Sequence, residues 1–87
     1  MKVIDGRNDH AVPTILTECQ FEALHPERLA TYLDCDSHTS IKVYRINNEY
    51  VVGSYRDNTL ILCGAWKTMR GVSNWLKKQY PQAEMIC

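Results

Sequence analysis

The sequence lacks a long apolar segment and has no net charge. No apolar run approaches the roughly 18 residues that a bilayer-spanning helix needs, and the first residues lack the continuous apolar stretch of a secretory signal. We therefore expect a cytoplasmic protein without a membrane span. The formal charge is +0 at pH 7, and the sequence pI of about 6.8 is well below that of a basic nucleic-acid-binding domain.

Motifs typical of catalysis and of metal binding are also missing. No glycine-rich loop follows a predicted strand, which argues against nucleotide hydrolysis. Cys35 and His38 are separated by two residues, as in half of a zinc site, but Cys19 and His25 stand too far apart to supply the second half. Cys35 with His38 is also the least poor candidate for catalysis, but a nucleophile needs a base and an orienting group held in place by the fold, which a sequence alone does not show. We predict a non-enzyme with no catalytic residues, no metal and no cofactor.

The sequence contains four cysteines, but they do not form a disulfide framework. They are spread along the chain, and Cys63 lies inside an apolar strand pattern, where a reduced thiol behaves as a small hydrophobic side chain. Reduced cysteines agree with the expected cytoplasmic location. No repeat and no linker rich in Gly, Pro or Ser divides the chain, so residues 1–87 are predicted to form a single domain.

The charges are distributed unevenly along the chain. Residues 1–38 carry a balance of −4, residues 39–65 one of +1, and residues 66–87 one of +3. Such asymmetry can serve partner binding. The commoner explanations are that the acidic half of the chain docks on its own basic helix, or that both charged surfaces are solvated.

The predicted fold class is α+β, with a three-stranded antiparallel meander at about residues 40–63. The strands are predicted at 40–46, 49–55 and 59–63, and the dipeptides Asn47-Asn48 and Asp57-Asn58 supply two-residue turns. Gly64 is expected to end the last strand. An amphipathic C-terminal helix at about residues 65–79 then follows.

The N-terminal part is predicted to contribute a short strand at residues 2–4, a loop at 6–12 and one or two helices. Thr17 and Gln20 have the spacing of a capping box, which predicts a helix start near this point. Proline is tolerated at a first helical position, and Leu29, Tyr32 and Leu33 follow at helical spacing. A second helical piece is therefore expected at residues 26–34.

Both faces of the predicted meander are apolar. The strands of a sheet with one solvent-exposed face are expected to alternate between apolar and polar residues, which these strands do not do. With two-residue turns, strict alternation places Ile41, Val43, Val52 and Ile61 on one face, and Tyr44, Ile46, Val51 and Leu60 on the other. Helices from the two ends of the chain are one way to cover both faces. A partner protein or a second copy of the chain is the alternative. On that alternative the predicted partner-binding residues are Tyr44, Ile46, Glu49 and Tyr55.

The C-terminal helix is predicted to bury one stripe and to expose a basic one. At about 100° per residue, Ala65, Met69, Val72, Leu76 and Tyr80 share the buried stripe. The opposite side carries Lys67, Arg70, Lys77 and Lys78, with Trp66 and Trp75 near its borders. Cations neutralise phosphates and indole rings stack on bases, so this side is the candidate nucleic-acid surface. Solvation is the alternative, and the last two lysines also favour the negative end of the helix dipole.

The order of these predicted elements, from Pro13 to Tyr80, resembles that of the double-stranded RNA-binding fold, and its strands and last helix resemble the arm-binding domains of phage integrases. The small size, mixed charge and absence of catalytic motifs are similar to small phage-encoded inhibitors such as anti-CRISPR proteins. These resemblances imply a protein that works by binding. Contact with another protein, or self-association as a homodimer, is the predicted function, and nucleic-acid binding through the C-terminal helix is the alternative.

Overall fold

A computed structural model describes residues 1–6 and 14–86 of the chain, and 52% of these residues lie in strands of one seven-stranded sheet. The strands are β1 (Lys2–Asp5), β2 (Thr14–Leu16), β3 (Glu27–Asp34), β4 (Thr39–Ile46), β5 (Glu49–Arg56), β6 (Thr59–Trp66) and β7 (Glu84–Met85). Two helices accompany them, α1 (Glu18–Glu22) and α2 (Met69–Gln79).

The sheet has the strand order β2-β1-β6-β5-β4-β3-β7. Strands β1 and β6 are parallel, and every other neighbouring pair is antiparallel. The prediction of a three-stranded meander flanked by N-terminal helices is therefore wrong. The meander is the centre of the sheet, and strands from both ends of the chain extend it on both sides. The predicted resemblance in element order to the RNA-binding fold and to the integrase domains fails for the same reason.

The two predicted hairpins are confirmed with their two-residue turns, and the predicted register holds throughout the first hairpin and, in the second, as far as the pair of Gly53 with Leu62. Ile46 pairs with Glu49, and Arg56 pairs with Thr59, so each turn contains two residues. All four turn residues have positive φ, from 51° at Asn47 to 65° at Asn48. This backbone matches the right-handed twist of hairpin strands and is tolerated best by Gly, Asn and Asp.

The third strand of the meander is longer than predicted, and α2 is shorter. The register shifts between Val52 and Gly53, so that Cys63 is the extra residue of a β-bulge and Gly64 pairs with Val52. The strand continues to Trp66, and α2 begins after Thr68, whose hydroxyl accepts a hydrogen bond from the Gly71 N–H. The predicted range of 65–79 for the helix is thus corrected to Met69–Gln79.

Trp66 explains why glycine occupies two positions around it. A Cβ atom at Gly64 would lie 2.9 Å from Trp66 Cη2, and one at Gly71 would lie 2.7 Å from Trp66 Cδ1. The indole therefore fills the space that two side chains would take, and it joins the end of β6 to the first turn of α2. Gly64 thus lies at a bulge, where the sequence suggested a strand end.

The second predicted helical piece, residues 26–34, is strand β3. Without β3, strand β4 would be an edge strand with a row of unpaired backbone N–H and C=O groups. Strand β3 pairs with β4 at seven positions and so provides hydrogen-bond partners for these groups. This pairing outweighs the helical preference of Leu29, Ala30 and Leu33, because intrinsic propensities amount to only a few tenths of a kcal/mol per residue, up to about 0.7. A bulge between Arg28 and Ala30 places Leu29 outside the ladder.

The N-terminal predictions are correct for the strand and the helix start. Strand β1 includes the predicted residues 2–4, and the capping box is formed, with Gln20 N–H donating to Thr17 Oγ1 and Thr17 N–H to Gln20 Oε1. The helix that follows has only five residues. The predicted loop at 6–12 lies outside the described residues except for Gly6.

The sheet separates two hydrophobic cores. One, here called the α1 face, contains Val3, Phe21, Tyr44, Ile46, Val51, Leu60 and Leu62. The other, the α2 face, contains Ala30, Ile41, Val43, Val52, Val72 and Leu76. One helix therefore packs on each face, α1 through Phe21 and α2 through Val72 and Leu76. Ala65, expected in the buried stripe of α2, instead lies in β6 and packs on the α1 face.

Candidate functional site

Three isoleucines lie side by side across β2, β1 and β6. Ile4 pairs with Ile15 on one side and with Ile61 on the other. Alternation along β1 places Ile4 on the α2 face, because its neighbour Val3 is buried on the α1 face. We call these three residues the isoleucine row. Ile15 is 62% exposed and Ile61 is 43% exposed, so a substantial part of the row faces solvent.

The course of α2 explains why the row is uncovered. The helix follows β6, and its Val72 and Leu76 share one core with residues of β3, β4 and β5, namely Ala30, Ile41, Val43 and Val52. It therefore crosses the sheet away from β1 and β2. Ser54 pairs with both Ile61 and Ile41 and lies between the exposed row and the covered core. One part of the α2 face is buried by its helix, and the other is an open apolar strip.

Two cations border the isoleucine row on the same face. Lys2 pairs with Thr59, and Thr59 pairs with Arg56, so the three side chains form the neighbouring row of the sheet. The Arg56 Nε atom lies 3.7 Å from an Asp57 carboxylate oxygen in an exposed ion pair, which contributes little at a surface. The site thus combines an apolar centre with a cationic border.

Of the predicted partner-binding residues, two lie in the core of the α1 face. Tyr44 is 8% exposed and Ile46 is 2% exposed. The Tyr44 ring packs edge-to-face on Phe21 of α1, with 5.4 Å between the ring centroids. This side of the meander is covered by the chain itself, so these two side chains offer almost no surface to a partner.

The other two predicted residues, Glu49 and Tyr55, are half-buried. Tyr55 donates a hydrogen bond of 3.3 Å to Asn58 Oδ1, and the Lys42 ammonium lies 4.6 Å from the centre of its ring. A cation over an aromatic face is a stabilising arrangement that needs no ligand. A role for Glu49 and Tyr55 in partner binding stays a prediction.

The predicted basic side of α2 is exposed as expected. Lys67, Arg70, Lys77 and Lys78 are exposed, and within residues 1–6 and 14–86 none of them belongs to an ion pair. The tryptophans are engaged in packing, since the rings of Trp66 and Trp75 lie 5.7 Å apart. The cations are therefore available for a polyanion, whereas the indoles already have partners.

Cys35 and His38 both lie in the turn between β3 and β4, where His38 has a φ of 53°. Asp34 at the end of β3 accepts a hydrogen bond of 2.7 Å from Ser37 and is satisfied by the turn itself. Among the described residues, no three His, Cys, Asp or Glu side chains are grouped so as to hold a metal ion.

The fold raises the pKa of two side chains. Burial raises the pKa of the Cys63 thiol, against a smaller opposite effect of a backbone hydrogen bond with Ser54. Burial also raises the pKa of the Tyr44 phenol, Arg28 lowers it in part, and Glu22 adds to the rise. Both groups are thus kept neutral, which is the opposite of what an activated nucleophile needs.

Comparisons with protein-family models, with curated proteins and with solved structures find no significant match for this chain. Within the described part of the chain, neither helix is long and apolar enough to cross a membrane.

Sequence reasoning missed the isoleucine row because its outer member was misplaced. The sequence predicts Ile4 in a strand and Ile61 on the correct face, but it predicts no strand at residues 14–16, where Ile15 lies. The parallel pairing of β1 with β6 joins residues almost sixty positions apart, as in Val3 with Leu60. A local pattern carries no information on such a pairing. The available signal was the pair of adjacent apolar residues in each segment, Val3-Ile4 and Ile15-Leu16. In a strand, such a pair places one apolar side chain on each face of the sheet.

Proposed function

We propose that this protein is a non-enzymatic binding protein of the cytoplasm, and that it binds another protein through the isoleucine row. The observation that supports this is an apolar row left exposed on a sheet face that its own helix covers only in part. Isolated exposed apolar side chains are ordinary, whereas adjacent ones in cross-strand register form a patch that favours protein contact.

The cationic border determines the kind of partner. Lys2 and Arg56 stand beside the row, and a complementary surface has carboxylates around an apolar centre. Such a border directs association and excludes partners of like charge. The partner is therefore expected to be a different protein with an acidic rim. A second copy of this chain would bring cations to the patch again.

A photo-cross-linker at position 61 tests this proposal in cells of the native host. We expect a cross-linked adduct with one other protein, joined next to acidic residues of that protein, as identified by mass spectrometry. The same cross-linker at Asn74 on the exposed side of α2 is the control and is expected to give no such adduct. Lys2→Glu combined with Arg56→Glu is expected to reduce the adduct at least several-fold.

The outcome distinguishes the possible occupants of the row. An adduct between two copies of this chain would replace the proposed partner by a homodimer. The absence of any adduct that depends on Lys2 and Arg56 would refute the proposal. Because Ile61 is exposed, the substitution itself is expected to change the free energy of unfolding by no more than about 0.5 kcal/mol.

Nucleic-acid binding is the second candidate, and four exposed cations favour it, namely Arg70, Lys77 and Lys78 of α2 and Lys67 just before the helix. A duplex bound by these four charges is expected to lose affinity steeply with salt, with a slope of log K on log salt of about −3.6. Fluorescence anisotropy with labelled DNA and RNA at two salt concentrations measures this slope. Reversal of charge at Lys67, Arg70 and Lys78 is expected to abolish binding, and the Lys2 and Arg56 reversal serves as its control. Binding that ignores salt would eliminate this candidate.

A further inference from the structure

A cavity of about 170 Å³ lies between the second half of α2 and the β3–β7 edge of the sheet. It is remote from the isoleucine row, which occupies the other end of the sheet. Ser73, Leu76 and Lys77 of α2 form one wall, and Tyr32 of β3 forms another. The segment from α2 to β7 contributes Tyr80, Pro81 and Ala83 to the lining, and the cavity is partly open to solvent.

Backbone hydrogen bonds hold these walls in place. The Tyr80 N–H donates to the Leu76 carbonyl at 2.8 Å, and the Ala83 N–H donates to the Tyr80 carbonyl at 3.1 Å. Tyr32 is fixed by its pairing with Met85, and the Tyr80 ring packs on Trp75 with 5.8 Å between centroids. The cavity is thus formed by ordered elements, which lowers the entropic cost of filling it.

The lining defines the chemistry of a ligand. Two tyrosine rings, Leu76, Pro81 and Ala83 offer apolar surface, while Ser73 offers a hydroxyl. Among the residues that the structure describes, Lys77 supplies the only charged group of the lining, and no carboxylate belongs to it. The last turn of a helix carries about half a negative charge, which the full positive charge of the lysine outweighs. The cavity therefore favours an anion attached to an apolar body.

The volume limits the size of that body. A cavity of about 150 Å³ in another protein accommodates a benzene molecule, so a cavity of this size accepts one ring. We propose that this cavity binds a small aromatic carboxylate, with its ring between Tyr32 and Tyr80 and its carboxylate at the Lys77 ammonium. This inference is independent of the proposed protein contact.

Three probes of nearly equal shape test the proposal, namely benzoate, benzamide and benzamidine, which are anionic, neutral and cationic. Each is titrated into the isotope-labelled protein, and amide NMR shifts are followed. We expect benzoate to bind with millimolar affinity and to shift the amides of Ser73, Tyr80 and Ala83. Benzamide is expected to bind about tenfold more weakly, because it lacks the negative charge that the Lys77 ammonium attracts. Benzamidine is expected not to bind.

Two neighbouring lysines provide a matched pair of variants. Lys77→Gln is expected to weaken benzoate binding about tenfold and to remove its preference over benzamide. Lys78→Gln changes the net charge equally but lies outside the lining, so its effect is expected to stay within about twofold. Ala83→Leu fills the cavity and is expected to abolish binding of all three probes, while distant amide signals stay unchanged.

Three results would overturn the proposal. The first is equal binding of the three probes, which would refute the role of charge. The second is an equal effect of the two lysine substitutions, which would indicate a general electrostatic attraction. The third is a set of shifts that does not include the cavity lining, or no shift with benzoate at all. If Ala83→Leu fails to fold, the two lysine variants still decide the question.

Discussion

Cys63 and Tyr44 are two residues at which the fold opposes ionisation. Their burial raises both pKa values, so the folded state binds these protons more tightly than the unfolded state does. The stability that they contribute is therefore present below the pKa values of the unfolded chain and is lost as the pH rises through those of the folded chain. The ordinary pKa values of the two groups, 9.0 for the thiol and 10.0 for the phenol, set where this loss begins.

We predict that the free energy of unfolding decreases as the pH rises above about 9, first through Cys63 and then through Tyr44. Urea unfolding at a series of pH values measures this decrease. Tyr44→Phe keeps the ring on Phe21 and removes the titrating hydroxyl, so the variant is expected to lose less stability above pH 10 than the parent chain. An identical pH profile for both proteins would contradict the assignment to Tyr44.

At the scale of elements, the hairpin turns are the parts that short segments determine by themselves. Asn48 has a φ of 65°, in the left-handed region. Glycine adopts this conformation without steric cost, whereas in alanine the clash of Cβ with the backbone raises the free energy of the folded state by about 1–2 kcal/mol.

We therefore predict that Asn48→Gly keeps or raises stability by up to about 1 kcal/mol, and that Asn48→Ala lowers it by about 1 kcal/mol. Thermal and urea unfolding of the three proteins give the comparison. Asn74→Ala on the exposed side of α2 is the control, since it replaces the same residue type where the backbone is helical and is expected to be neutral or slightly stabilising. Equal effects of the two alanine substitutions would refute the role of the turn.

Sequence reasoning succeeded where the determining contacts are local. The turn at Asn47-Asn48, the capping box of Thr17 and the buried stripe formed by Val72 and Leu76 each involve residues close in the chain. It failed for β3, because the composition of residues 26–34 suits a helix and only the open edge of β4 turns that segment into a strand. The predicted end of β6 is also too early. Gly64 does not break the strand, because a glycine is needed there to leave room for the Trp66 indole.

The candidate site was less predictable than the fold for a related reason. Tyr44 and Ile46 were expected at a surface because the sequence does not show that Phe21 packs against that face. The isoleucine row depends on three strands that are distant in sequence. What a face exposes is decided by the path of the helix that crosses it, and one chain segment alone does not determine that path.

At the scale of the whole molecule, the sheet divides the buried residues into two layers that share only its backbone. Tyr44 lies in one layer and Val72 in the other. Side chains on opposite faces do not touch, and substitutions at sites without shared contacts usually add in their effects.

We predict that Tyr44→Leu and Val72→Ala are additive in the free energy of unfolding within about 0.5 kcal/mol. By contrast, Tyr44→Leu and Phe21→Leu are expected to show a coupling of about 0.5–1.5 kcal/mol, because their rings are in contact. Chemical denaturation of the single and double variants gives both values. Strong coupling across the sheet would show that the two layers act as one core.

The parallel pairing of β1 with β6 has a consequence for synthesis of the chain. Strand β1 leaves the ribosome before β6 and can pair with β2 soon afterwards, but its other edge cannot be filled until Leu62 has been made. During that interval the nascent protein presents an unpaired strand with Val3 and Ile4, the kind of edge at which foreign strands add. The speed of translation across the two hairpins therefore determines how long the nascent chain exposes this unpaired edge, at which it can aggregate.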